Sequence, residues 1–230
     1  MTSAAGSDTI THMNRFWTTA LTVAPYVTWM ALMAVLPATA YCYAVRSAAV
    51  YALLAIWFAA SRINPLKIPF RRMLGPGIAV GLAVFALWVL PEGLEAYRRF
   101  FIIGDAAATG PSPYDPSVCG WPLTVVRLVG SAFVIAPAEE LFFRNFLYRW
   151  LQKGGDWTSS SLRRFDLGAF LWTVALFALE HDRYLAGAMA GAAYGLLAIR
   201  RGLGAAIVAH VTTNLVLGVY VVARHAWAFW

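Results

Sequence analysis

SAFVIAPAEELFFRNFLYRWLQ, residues 131–152, reads as an apolar helix long enough to cross a bilayer, yet Glu139, Glu140 and Arg144 sit near its middle. A charge in hydrocarbon costs roughly 2.5–3.5 kcal/mol on insertion scales, so three in one span need a reason. Glu140 and Arg144 are i and i+4, on one helical face where they can pair. Glu139 points about 100° away, which leaves one carboxylate tied to a guanidinium and the other free to face a cavity. Pro137, just before the pair, removes a helix hydrogen bond and predicts a kink there.

The rest of the chain is of the same kind. Of its 230 residues, 60% are hydrophobic and only 13% charged, against about 25% charged in soluble domains. An integral membrane protein follows. The net charge of +7 does not point to nucleic acid, because the basic residues lie mainly between apolar runs, as membrane-flanking anchors do. Cys42 and Cys119 are far apart and lack metal-ligand spacing, so two free thiols are expected. LPATAYC, residues 36–42, imitates a cleavage site, but the apolar run before it exceeds the core of about 7–15 residues of a signal peptide, so an uncleaved span is expected.

A span takes about 20 apolar residues, fewer inside a bundle. Seven runs qualify, at roughly 16–36, 42–60, 74–91, 122–151, 167–181, 185–200 and 203–223. The expected fold is therefore all-α, a polytopic membrane helix bundle of about seven transmembrane helices. It divides into a disordered N-terminal tail (1–14), N-terminal transmembrane helices with an external loop (15–121) and a C-terminal helix bundle that carries the polar residues (122–230). GAMAGAAYG, residues 187–195, repeats glycine every four residues on one face and predicts close helix packing. LEAYRRFF, residues 94–101, predicts a short interfacial helix. The connections bearing Arg62, Lys67, Arg71 and Arg72, then Arg149, Lys153, Arg163 and Arg164, then Arg200 and Arg201, fall on one side if the spans alternate. The positive-inside rule makes that side cytoplasmic, with the N-terminus.

Polar residues gather at similar depth. At 1.5 Å per residue, Glu139 lies about 15 Å from Arg149, His210 about 12 Å and Asn214 about 18 Å from Gly202, and His181 about 22 Å from Asp166. His210 and Asn214 are i and i+4, so both can address one point.

EELFFR (139–144) fits E-E-x-x-x-R, FALEH (177–181) fits F-x-x-x-H, and HVTTN (210–214) fits H-x-x-x-N. In that order, on successive helices, they resemble the CAAX prenyl endopeptidase and bacteriocin-processing (CPBP) family of intramembrane glutamic proteases, over about 122–218. The first three spans carry no such likeness. The resemblance implies that Glu139, with His181, activates a water for attack on a peptide carbonyl. It implies that Glu140 supports the site through Arg144, and that His210 and Asn214 stabilise the oxyanion. It implies no covalent intermediate. No cofactor and no metal are expected, since Arg144 lies close to the glutamates and no zinc signature is present. The chain is also similar to short prokaryotic members linked to C-terminal sorting signals, which implies a bacterial inner membrane and a membrane-anchored protein substrate bearing such a signal.

Taken singly, the same residues have plainer readings: Glu140–Arg144 as a bundle ion pair, His181 as an interfacial residue beside Glu180, Asp182 and Arg183, His210 and Asn214 as interhelical glue. Three other functions stay open. Two histidines and two glutamates could ligate zinc, as in an intramembrane metalloprotease, although H-E-x-x-H is absent and Arg144 disfavours a dication. A non-catalytic binding or scaffold protein could keep the same fold. A proton-coupled transporter could use the same buried groups, but the internal repeat it calls for is not seen. Ser131 and Ser159–Ser161 lack the context of a serine nucleophile, and His12 and His225 are assigned no role.

Overall fold

The computed structural model describes residues 4–61, 70–102 and 112–230, with side chains from 15 onward in the first segment and from 72 onward in the second. Every regular element among them is helical. The first helices are α1 (Ala4–Val35), α2 (Ala40–Ala60) and α3 (Phe70–Val89). The expected interfacial helix is α4 (Glu95–Phe101), and α5 (Pro116–Cys119) is a single turn. The continuous span Trp121–Lys153 comprises α6 (Trp121–Gly130), α7 (Ala136–Glu140) and α8 (Tyr148–Lys153), joined by wider turns. It is followed by α9 (Leu167–Leu179), α10 (Tyr184–Arg201) and α11 (Leu203–Arg224).

The seven apolar runs are thus seven helical runs, with ends within about four residues of expectation except at the first, where α1 starts at Ala4 rather than 16 and so runs helical through most of the stretch expected to be a disordered tail (1–14). Five are long and apolar enough to cross a bilayer: Arg15–Val35, Ala40–Ala60, Arg72–Gly93, Trp121–Lys153 and Leu203–Arg224. α9, at 13 residues, is about 20 Å long and falls short of a hydrocarbon core of about 30 Å, so it depends on its neighbours. The caps are local. Thr39 accepts a hydrogen bond from the Cys42 N–H at 3.2 Å and Asp166 one from the Ala169 N–H at 2.9 Å, each satisfying an orphan donor of the first turn. Gly202, at φ +98°, separates α10 from α11, a conformation that a side chain would strain.

Small residues set the packing in two places. Along α10, a Cβ on Gly191 would lie 3.1 Å from Phe177 and one on Gly195 3.0 Å from Phe170, both on α9, as the four-residue glycine repeat led one to expect. α3 approaches α11 more closely. A Cβ on Gly81 would lie 2.5 Å from the Ala209 carbonyl oxygen, so backbone meets backbone there. The Gly81 carbonyl accepts a hydrogen bond from Thr213 Oγ1 at 2.9 Å. The core is shared by both halves of the chain: Tyr26 of α1 and Val84 of α3 pack with Phe143, Phe177, Tyr194 and Ala205.

The two ends of the bundle differ. At one, Arg163 Nη1 donates to the Arg200 carbonyl at 2.7 Å and Arg15 of α1 lies 3.7 Å from Asp156, so the α8–α9 connection meets both the α10–α11 turn and α1 at Arg15. The third basic connection includes Arg62 and Lys67, which lie outside the described residues, as does the stretch 103–111 of the irregular loop. At the other end Arg183 pairs with Glu92 and donates to the Ala228 carbonyl at 3.1 Å. Tyr184 hydrogen-bonds the Phe100 carbonyl, and the rings of Tyr114 and Trp230 meet edge to face. That end gathers the α3–α4 and α9–α10 connections and the last residues of the chain.

Candidate active site

The site begins in the backbone of the span Trp121–Lys153. Residues 131–135 and 141–147 form π-helical turns on either side of α7, and the Ala136 N–H reaches back five residues to the Ser131 carbonyl. Pro137 has no N–H to give to the ladder. The expected local disturbance is therefore present, as widened turns that change the angular phase of the side chains across Glu139 and Glu140. π-turns of this kind concentrate at functional sites.

Glu140 and Arg144 are fully buried behind the cavity. Glu140 Oε1 lies 3.1 Å from Arg144 Nη1 and 3.0 Å from His210 Nδ1. The arginine contact is an ion pair by distance without the alignment of a hydrogen bond. Arg144 Nη2 donates to the Gly191 carbonyl at 3.2 Å, and its guanidinium lies 4.3 Å from the centre of the Phe177 ring. Gly191 thus serves twice, admitting Phe177 closely and presenting its carbonyl to Arg144.

Glu139, one residue earlier, faces the other way. Its carboxylate is among the lining of a cavity of about 280 Å³ together with His181, His210, Asn214, Ser131 and Phe177. Glu139 Oε2 has no hydrogen-bond partner in the protein and lies 3.7 Å from His210 Nε2. His210 is held on every side. Its Nδ1 meets Glu140, and its ring stacks on Tyr194 at 4.7 Å and 23°. Tyr194 donates its hydroxyl proton to Thr213 Oγ1 at 2.7 Å, and Thr213 in turn bonds the Gly81 carbonyl of α3.

His181 lies in the turn between α9 and α10. Its Nδ1 is 2.8 Å from the Phe177 carbonyl, and its ring is flanked by Phe177 at 4.8 Å and Trp88 at 5.3 Å. Asn214 Nδ2 donates to the Ser131 carbonyl at 3.0 Å, the oxygen that also receives the π-turn hydrogen bond of Ala136.

All six residues singled out from the sequence therefore come together. Glu139, His181, His210 and Asn214 line the cavity; Glu140 and Arg144 stand behind it. His210 stands 3.7 Å from Glu139 because α11 packs against α7, while the Nδ1 of His181, on the same cavity, is held by the Phe177 carbonyl. Sequence reading passed over Tyr194, Thr213 and Trp88. Tyr194 was legible as the one large polar residue in the small-residue face of α10; Trp88 carried no signal. Among the described residues, no three His, Cys, Asp or Glu side chains are grouped so as to hold a metal ion. Cys42 and Cys119 are both free thiols.

Residues 121–216 match the family model for type II CAAX prenyl endopeptidase Rce1-like proteins. The match spans every site residue named above from Ser131 to Asn214 and leaves out α1–α3. No curated protein and no solved structure matches the chain.

Proposed function

We propose that the chain, a multi-pass membrane protein whose segment 121–216 matches the Rce1-like family model of type II CAAX prenyl endopeptidases, is a protease that hydrolyses a peptide bond of a membrane-anchored protein with Glu139 as general base. The observation that carries this reading is Glu139 in the wall of the cavity, with its buried Oε2 free of hydrogen bonds in the protein and 3.7 Å from His210 Nε2. A carboxylate so placed can take a proton from a water as the water oxygen attacks the substrate carbonyl, and return it to the leaving amine. His181, across the same cavity, helps to hold that water. His210 and Asn214 supply donors to the oxyanion, each such donor contributing about 2.7–4 kcal/mol in well-studied cases. Glu140 and Arg144 orient His210 from behind. No step forms a covalent bond to the chain.

The cavity extends towards the end of the bundle formed by the α3–α4 and α9–α10 connections, where Met33, Trp88, Glu180 and Phe229 line it. That end is opposite the basic connections, so the positive-inside rule makes it the outer face, with the N-terminus cytoplasmic. An opening there suits cleavage of a substrate helix near its outer end, as a C-terminal sorting signal requires in a bacterial inner membrane. A single cysteine at Asp182, an exposed position, in a background lacking Cys42 and Cys119, should be labelled by an impermeant thiol reagent in intact cells. Labelling confined to inverted vesicles would place the opening on the cytoplasmic side.

The function itself is tested by mass spectrometry of membrane proteins from cells with and without the gene. At least one protein should lose a C-terminal cleavage in the deletion and regain it on complementation. An unchanged set of C-termini would overturn the protease reading.

A further inference from the structure

Resting on the endopeptidase reading, we propose that Arg127 is a specificity-determining residue that receives a carboxylate of the substrate at the outer end of the catalytic cavity. Arg127 lines the same cavity as Glu139, His181 and His210. Its guanidinium is enclosed by aromatic faces: Tyr43 at 4.4 Å, Tyr114 at 4.7 Å and Trp230 at 5.7 Å. These walls fix the group in place and favour its charge; the Tyr43 hydroxyl also comes close enough to interact with it, a neutral partner that leaves the charge unmatched. Nε is buried without a hydrogen-bond partner, and among the described residues no carboxylate forms an ion pair with Arg127.

A second cation stands behind the cage. Arg46, 4% exposed and also without an acidic partner among the described residues, lies 5.0 Å from the Trp29 ring and 5.8 Å from that of Tyr43. Glu139 and Glu180 share the cavity with Arg127 and neutralise neither arginine. Guanidinium groups keep their charge at any physiological pH; Arg46 is buried and Arg127 half-buried, and a buried charge without a counter-ion is costly. Among the described residues the arrangement is thus short of an anion, and the fork of Arg127 fits a carboxylate with two parallel hydrogen bonds.

The position limits the substrate. Arg127 lies twelve residues before Glu139 in one continuous span, hence at most about 18 Å away along the axis. An extended peptide covers that in no more than about six residues. The carboxylate, whether a chain terminus or an acidic side chain, therefore lies within that distance of the bond cut, on the side nearer the opening.

The test uses full-length Glu139→Gln protein in phosphatidylcholine nanodiscs. The probes are pools of N-acetylated apolar peptides of about six residues, chosen to match that reach. One pool carries free C-terminal carboxylates, one is amidated, and one is amidated with aspartate as the last residue. Retained peptides are quantified by mass spectrometry. The free-acid pool, the aspartate pool or both should be retained about tenfold over the plain amides, a difference of about 1.4 kcal/mol. Retention of the aspartate pool identifies a side chain as sufficient; retention of free acids alone identifies the terminus. The preference should vanish in Arg127→Gln and Arg127→Met and weaken in Arg127→Lys, which keeps the charge but loses the fork. Equal retention of acids and amides, or a preference that survives in any monodisperse Gln or Met variant, overturns the proposal. The same pools offered to protein with Glu139 intact separate the two readings. Cleavage without acid preference removes the Arg127 subsite and leaves the protease; acid-selective retention without cleavage does the reverse.

Discussion

Purified Glu139→Gln protein is expected to lose turnover by at least about two to four orders of magnitude, the usual worth of a positioned general base, while folding as the wild type does. The substitution keeps shape and volume and removes only the ability to take up a proton. Glu139 Oε2 has no hydrogen-bond partner in the protein, so few native contacts depend on its charge. The nearest, His210 Nε2 at 3.7 Å, is held independently by Glu140 and Tyr194. The measurement is cleavage of the substrate found in the deletion comparison, with thermal unfolding of the same preparation as control. Wild-type rates from a well-folded variant would remove Glu139 from the mechanism.

Arg144→Ala is expected to act differently, on stability first and activity as a consequence. Glu140 is completely buried, and among the described residues Arg144 is its only arginine partner. Removing one member of a buried pair strands the other and costs about 3–5 kcal/mol. The variant also loses the hydrogen bond to the Gly191 carbonyl and the contact with the Phe177 ring. For a chain of this size the midpoint of thermal unfolding should fall by about 10 °C. The double variant Glu140→Gln/Arg144→Met should recover part of that loss, since a neutral buried pair leaves no charge unmatched, yet stay impaired in catalysis because His210 loses its carboxylate. An Arg144→Ala midpoint equal to wild type would mean that Glu140 finds other compensation.

Much of this was legible beforehand because membranes impose simple rules. The seven helical runs follow from the length of apolar stretches, since a backbone in hydrocarbon has to satisfy its own hydrogen bonds. The Glu140–Arg144 pair follows from i, i+4 spacing, and the contact of Gly191 with Phe177 from a four-residue repeat of glycine. Each depends on residues close in sequence on one helix, where geometry is fixed at 3.6 residues per turn.

What needed the folded chain is how helices meet. The sequence names His181 and His210 alike as histidines at similar depth. Only the packing of α11 beside α7 puts His210 between both glutamates and leaves His181 bonded to its own helix. The π-turns around α7 leave no compositional mark beyond Pro137. The contribution of α3 was invisible too: Gly81 accepts the hydrogen bond that fixes Thr213, hence Tyr194 and the ring of His210, and Trp88 flanks His181. The aromatic cage of Arg127 is drawn from α2, the turn before α5 and the last residue of the chain. Covalent spacing determines which side chains share a helix face, and so the sequence alone determined the spans and the ion pair. Which faces then touch depends on how small residues let particular helices approach across long separations in sequence, and that the tertiary structure alone decided.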